Sequence, residues 1–434
     1  MSEVLVRTTK PLALALSLTA CVATACSSGA DDPRPRSTAA TAAVSSPSVP
    51  PEPQLMPHDP PAWFDARKEV ALPSAATKGR LNLAGQIRGG GTTLPLALAG
   101  SRAFIASPDR LQAFNLATGQ AEGEIAPQGV ALRPDSDGDV LPPLVVGEVV
   151  LTPFLLTEPA SGTRAADATL ELLASPAAGR PEVSWRTLVK LPDWVPQASG
   201  GVTVSAVGAG DGTAVVTVTG RSGSGSAISY GIDMATHALR WTQQDVAVRE
   251  VGAGAAAGLL HVGDLNSIPV SVDLATGAER WRGEKVFQAS MDGAGPGAVR
   301  IRGHRPDGKS IDQLVAADSG RVRSDMPPGL SGTGCTHDEA KTLLCFGSFA
   351  VAAVDPADGR LLWQLKDEGG RRAPQVTTVW HGRVYGTGPA GPVTLDALTG
   401  ADMPTKPEAA PILVNAYVGL VLDDGKLSGV PTGG

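Results

Sequence analysis

Large rings are scarce in this chain. Seven Trp, three Tyr and seven Phe make up 4% of 434 residues. With 52 Gly and 36 Pro, that scarcity argues against long helical bundles and for many short strands joined by turns. Basic runs are absent too, and 36 Lys and Arg against 43 Asp and Glu give a net charge of −7, so there is no electrostatic footprint for nucleic acid. No apolar run is long enough to cross a bilayer, the longest being Leu12–Ala20. The six histidines show no close metal pairing and no GxSxG nucleophile turn occurs. A polytopic membrane protein, collagen and a wholly disordered chain are thereby excluded. A chain of this length can bury roughly three quarters of its unfolded surface.

What is present begins with an export signal over residues 1–26. Arg7 and Lys10 precede the apolar stretch LALALSLTA, and small residues lead to cysteine. Two windows have lipobox character, Leu18-Thr19-Ala20-Cys21 and Ala23-Thr24-Ala25-Cys26. Lipid attachment is therefore expected at Cys21 or Cys26, with unlipidated secretion as the third reading. No paired arginines precede the run, which favours the general secretion route. Residues 27–62 are Ser, Ala and Pro with few bulky apolar side chains. Such a segment cannot repay its ordering entropy and reads as a tether. The folded domain is expected over 63–434.

That domain repeats an apolar strand, an Asp, a turn and a Trp. The motif stands as FNLATGQAEG at Phe114, LASPAAGRPEVSW at Leu173, GIDMATHALRW at Gly231 and SVDLATGAERW at Ser271. It continues as VAADSGRVRS at Val315, AVDPADGRLLW at Ala353, LDALTGADMP at Leu395 and SGVPTGG at Ser428. Taking Gly119, Gly179, His237, Gly277, Gly320, Gly359, Gly400 and Gly433 as turn markers, the spacings are 60, 58, 40, 43, 39, 41 and 33. A period near 40 in β-type sequence means propeller blades. The fold expected is all-β, a single propeller of eight four-stranded blades, with seven as the alternative if the Ser428 motif is a cap. A strand near Lys68–Ala71 or Arg80–Gly85 is expected to complete the last blade and remove its open edge.

The repeated residues have physical jobs. Asn115, Asp233, Asp273, Asp355 and Asp396, four places before their markers, can accept from nearby amides and shape a turn, while glycine supplies a positive φ. Trp241, Trp281 and Trp363, four places after, are expected to pack between neighbouring sheets. Cys335 and Cys345 flank a polar turn centred near Ala340. If the flanks pair as a hairpin they face each other, which supports a cross-strand disulfide and an oxidising compartment.

The pattern resembles the tryptophan-docking repeat of the pyrroloquinoline quinone propeller superfamily, best at DLATGAERW (Asp273–Trp281) and DPADGRLLW (Asp355–Trp363) and weakly at Leu173, Val315 and Ser428. The resemblance implies fold rather than activity. That superfamily includes quinone-dependent dehydrogenases, exported sensor domains and the non-enzymatic lipoprotein of the β-barrel assembly machine, to which this chain is similar in expected fold and anchoring.

Other strings mimic active sites. Gly303–Ser310 fits GxxxxGKS, yet it opens onto a strand, so it reads as a hairpin turn and not as a phosphate loop. Gly252-Ala253-Gly254 leads likewise into a strand. Asp135, Asp137 and Asp139 alternate as a weak candidate for a hard cation, but the EF-hand spacing fails. The excess length of the first two long repeats falls at 128–143, 158–167 and 192–200, all on the rim formed by second-to-third-strand turns and blade-to-blade connections. Clustered long loops suggest a binding surface, with Arg164, Asp193 and Trp194 as further candidates.

The expectation is thus a non-enzymatic, lipid-anchored, monomeric propeller outside the cytoplasmic membrane, binding a protein or cell-envelope ligand, with no cofactor. The alternative is a dehydrogenase using pyrroloquinoline quinone and calcium. Against it stand the lack of an adjacent cysteine pair and the presence of only four asparagines. The Ala-, Gly-, Pro- and Arg-rich usage suggests a high-GC, actinobacterial source.

Overall fold

The computed structural model describes residues 54–78, 94–132, 140–158, 160–163, 166–195, 201–220, 226–263, 265–330, 333–347, 350–366 and 372–434. These residues belong to one unit, Glu52–Gly434. Cys21, Cys26 and the second candidate closing strand, Arg80–Gly85, lie outside them.

Apart from two 3-10 turns, all the regular structure in the described residues is strand. The strands follow one another as antiparallel meanders, numbered here as sheets 1 to 8: residues 96–125, 144–190, 202–244, 246–282, 286–325, 334–366, 375–396 and 413–433. Sheets 4 and 5 are hydrogen-bonded into one through the pairs Asn266–Phe287 and Ser267–Val286. Strands Val149–Glu158 and Thr213–Gly220 are rich in β-branched residues, and both bury most of their length.

Each sheet shares an apolar cluster with the next. Phe104 and Leu111 pack with Phe154 and Leu173 between sheets 1 and 2, and Leu344 and Phe346 with Val384 and Leu395 between sheets 6 and 7. The series returns to its start, because Leu420 and Leu427 of sheet 8 pack with Ile105 and Phe114 of sheet 1. Successive meanders packed face to face in this order make a β-propeller.

Seven of the turn markers sit in the turn after a third strand, where the repeat put them, with φ from 60° at His237 to 78° at Gly179; six lead into a fourth strand, but sheet 7 corrects the four-stranded expectation, since it has three strands and Gly400 follows the last of them. Their carboxylates and the Asn115 amide accept from the turn amides. Asp273 Oδ1, for example, takes Ala275 N–H at 3.1 Å, Thr276 N–H at 2.9 Å and the Thr276 hydroxyl at 2.8 Å. The eighth motif needs correction: Ser428–Gly433 are not a turn but the end of strand Lys426–Gly433. Two N-terminal pieces pair with that strand, Trp63 opposite Gly433 and Val70 opposite Gly429. Trp63 lies against Gly433 as Trp241 lies against Gly231 within sheet 3. An N-terminal tryptophan thus fills the place that a repeat tryptophan fills elsewhere.

Ordered contacts also begin ahead of the expected boundary at 63. His58 N–H donates to Ala416 O at 2.7 Å, and the Tyr385 hydroxyl, deep between sheets 7 and 8, donates to Pro61 O at 2.9 Å. A backbone donor at His58 and a backbone acceptor at Pro61 thus pair with polar groups of the propeller.

Candidate functional site

The tryptophans are structural, as the repeat implied. Trp241, Trp281 and Trp363 each lie over the marker glycine of the following sheet and donate from Nε1 to the carbonyl three residues before it: Leu274 at 2.9 Å, Ala317 at 2.8 Å and Ala397 at 2.8 Å. Sheet 5 has no such Trp. There Ser324 lies over Gly359 and Arg323 Nη1 supplies the missing hydrogen bond, to Pro356 O at 2.9 Å. Between sheets 2 and 3 the dock is a stack, Trp185 on the His237 imidazole, with centroids 4.7 Å apart.

Of the rim candidates, Asp135, Asp137, Asp139 and Arg164 lie outside the described residues. Asp193 is exposed in the turn after strand Trp185–Lys190. Trp194 is half-buried and packs on the cluster between sheets 2 and 3, its ring against Gly220. Its ring therefore serves packing. Cys335 and Cys345 are directly opposed and disulfide-bonded across strands Gly334–His337 and Leu343–Phe346.

On the rim formed by second-to-third-strand turns and sheet-to-sheet connections, between sheets 4 and 5, lies a cleft of about 490 Å³. It is lined by Asn266, Lys285, Phe287, Gln288, His304, Arg305, Pro306 and Gly308. One wall is the GHRPDGKS hairpin turn, closed by Gly308 N–H to Arg305 O at 2.9 Å and Arg305 N–H to Lys309 O at 2.8 Å. The other is the junction of sheets 4 and 5, where Gln288 N–H donates to Leu265 O at 2.7 Å. The register irregularity between Phe287 and Ser290 re-aims the start of strand Val286–Gly293, leaving Phe287 41% exposed. Among the described residues the lining holds two cations, Lys285 and Arg305, and no carboxylate. Neither cation forms an ion pair with a described residue, and the neighbouring Asp307 is turned to Lys309 at 3.2 Å. These residues were not singled out in the sequence, where the hairpin was read only as an unremarkable turn.

A second group belongs to the first strands of sheets 4 and 5. Arg249 is bulged out of register in strand Val246–Gly252, and Glu250 reaches across to Gly293 of the next sheet. Burial pushes the Glu250 carboxyl up to about 7. Burial lowers the Arg249 guanidinium, with Asp292 opposing, while Asp292 is held by Arg302 at 2.5 Å. Among the described residues no three His, Cys, Asp or Glu side chains converge as metal ligands.

Glu250 carries a pH prediction. Below pH 4.5 it is protonated whether folded or not; between 4.5 and about 7 the folded chain holds the proton more tightly, so stability falls as pH rises and the full cost stands above 7. Glu250→Gln should therefore be more stable than the parent at pH 8, by up to about 3 kcal/mol, with the gap closing toward pH 5. Urea unfolding at the two pH values checks it; a gap independent of pH rejects the assignment.

No family model and no curated protein matches the chain. Solved structures that resemble it include BamB from Moraxella catarrhalis, 12% identical, covering 67% of this chain and 95% of that one, with a TM-score of 0.35. A europium-containing methanol dehydrogenase is 9% identical over 83% of this chain and 90% of its own, TM-score 0.41. A dihydro-heme d1 dehydrogenase, NirN, is 13% identical over 73% and 65%, TM-score 0.42. Likenesses this distant do not bear on activity.

Proposed function

We propose that this chain is an exported, lipid-anchored propeller that binds a protein or another extracytoplasmic ligand and performs no chemistry on it. The observation that carries the reading is the cleft between sheets 4 and 5. It is concave, holds two cations without an ion pair among the described residues beside an exposed ring, and lies on the rim of second-to-third-strand turns and sheet-to-sheet connections. The cross-strand disulfide supports an oxidising compartment. The lipobox windows at Cys21 and Cys26 supply the anchor, and the Pro-rich segment after them would hold the propeller off the membrane.

Full-length protein expressed with its signal should incorporate an alkyne-labelled fatty acid, and the label should vanish in the double variant Cys21→Ser, Cys26→Ser. Cross-linking on intact membranes should capture one reproducible partner, and charge reversal at Lys285 and Arg305 should reduce that capture. Quinone- and calcium-dependent dye reduction by the purified chain would overturn the non-enzymatic reading, and capture insensitive to the charge reversal would move the binding surface elsewhere.

A further inference from the structure

We infer that the cleft between sheets 4 and 5 receives an acidic peptide segment, one carrying a carboxylate next to an apolar side chain. The inference rests on the binding function proposed above and names the chemistry of the partner. The chain as a whole carries a charge of −7, whereas the described lining residues of the cleft include two cations without an ion pair and no acid, a reversal of sign confined to that lining, since Asp307 in the same hairpin faces Lys309 and also feels the Arg305 charge. Such a reversal selects an anionic partner and rejects a basic one by unpaired desolvation.

The form of the anion follows from where the backbone amides are spent. A phosphate loop holds its anion with free amides at the start of a helix. Here the Arg305 and Gly308 amides are consumed within the hairpin, so the charge must be met by the Lys285 and Arg305 side chains. That suits a carboxylate, which a guanidinium can grip with two parallel hydrogen bonds. Beside them Phe287 is 41% exposed and Leu265 61% exposed, with Val262 also open on the same loop. Exposed apolar side chains next to charge fit a peptide better than a free inorganic anion or a sugar acid. The site is also preformed. Both walls are tied by backbone hydrogen bonds, and the pairs Asn266–Phe287 and Ser267–Val286 join the sheets beneath it, so little ordering opposes binding.

The test pans a random decapeptide phage library on the full chain, then measures synthetic winners by fluorescence anisotropy. The expected winners are rich in Asp or Glu adjacent to Phe, Trp or Leu. Their affinity should fall at least tenfold in Lys285→Glu, Arg305→Glu and in Phe287→Ala, fall again between 50 and 500 mM salt, and vanish when the acids become Asn or Gln. These exposed changes should leave the unfolding midpoint of the parent unchanged, which separates lost binding from lost folding. Winners that are neutral or basic, or that bind the double variant undiminished, overturn the inference. Polygalacturonate or inorganic phosphate displacing the winners while binding more tightly also overturns it and assigns the site to those anions. If the peptide result fails while membrane cross-linking remains sensitive to Lys285 and Arg305, only the ligand class falls; if both fail, the binding reading falls with it.

Discussion

Arg300→Met is expected to destabilise the propeller by about 3–5 kcal/mol, the cost of breaking a buried ion pair from one side. Arg300 is 1% exposed in strand Ala298–His304 of sheet 5. Its Nε and Nη2 meet the two Asp312 oxygens, each at 2.6 Å. The remaining donors reach the connection to sheet 6, with Nη2 to Leu330 O at 3.0 Å and Nη1 to Thr333 O at 2.9 Å and Cys335 Sγ at 2.8 Å. One guanidinium therefore fastens a hairpin, an inter-sheet loop and the disulfide strand. Truncation strands a carboxylate and leaves buried carbonyls without donors. Arg300→Met, Asp312→Leu should recover part of the loss because the orphaned charge is gone. Arg300→Lys should fall between, keeping charge but losing the planar fork. Urea unfolding of the four proteins makes the cycle; a loss under 1 kcal/mol in the single variant would reject this role.

Trp241→Ala is expected to cost a similar amount, about 3–5 kcal/mol. The ring is 6% exposed, lies between Gly231 and Gly277, and donates to Leu274 O. Its loss opens a cavity between sheets 3 and 4 and leaves a buried carbonyl unpaired. The same contact can be attacked from the other side. A Cβ at Gly277 would stand 2.6 Å from Trp241, at a φ of +73°. Gly277→Ala should therefore be far worse than Gly179→Ala, where φ is +78° but nothing lies within 4 Å. The second change should cost only the backbone term, about 1 kcal/mol. Thermal unfolding of the three variants compares them, and equal shifts for the two alanine substitutions would show that docking contributes nothing beyond backbone conformation.

Much of the repeat was legible because its physics is local. An Asp four residues before the turn marker can reach its own turn amides whatever surrounds it, and at Asp233, Asp273 and Asp396 it does. The tryptophan role was legible from identical placement in successive repeats. The Cys335–Cys345 bond was legible from ten residues spanning a polar turn. The candidate site was not. Lys285, Phe287 and Arg305 come from a connection and a hairpin on two different sheets, and no spacing relates them. A clue was there in the hairpin set aside as a phosphate-loop mimic, whose Asp307 turns to Lys309 and leaves Arg305 without an ion pair among the described residues, but that is visible only once its neighbours are placed.

By itself the sequence determined an all-β chain of repeated strand–turn–strand units, the residues that shape each turn, and the rings that dock one unit on the next. All of these are interactions within a turn or between consecutive repeats. Tertiary structure alone decided that Ser428–Gly433 continue a strand and do not turn, since their partners Trp63 and Val70 lie more than 350 residues away. It alone decided that Arg300 is a buried clamp, that Trp185 stacks on the His237 imidazole, and that Trp194 packs on the cluster between sheets 2 and 3. In each case the deciding contact joins segments that the chain brings together only by closing one sheet against another, and pattern along the chain carries no record of that approach.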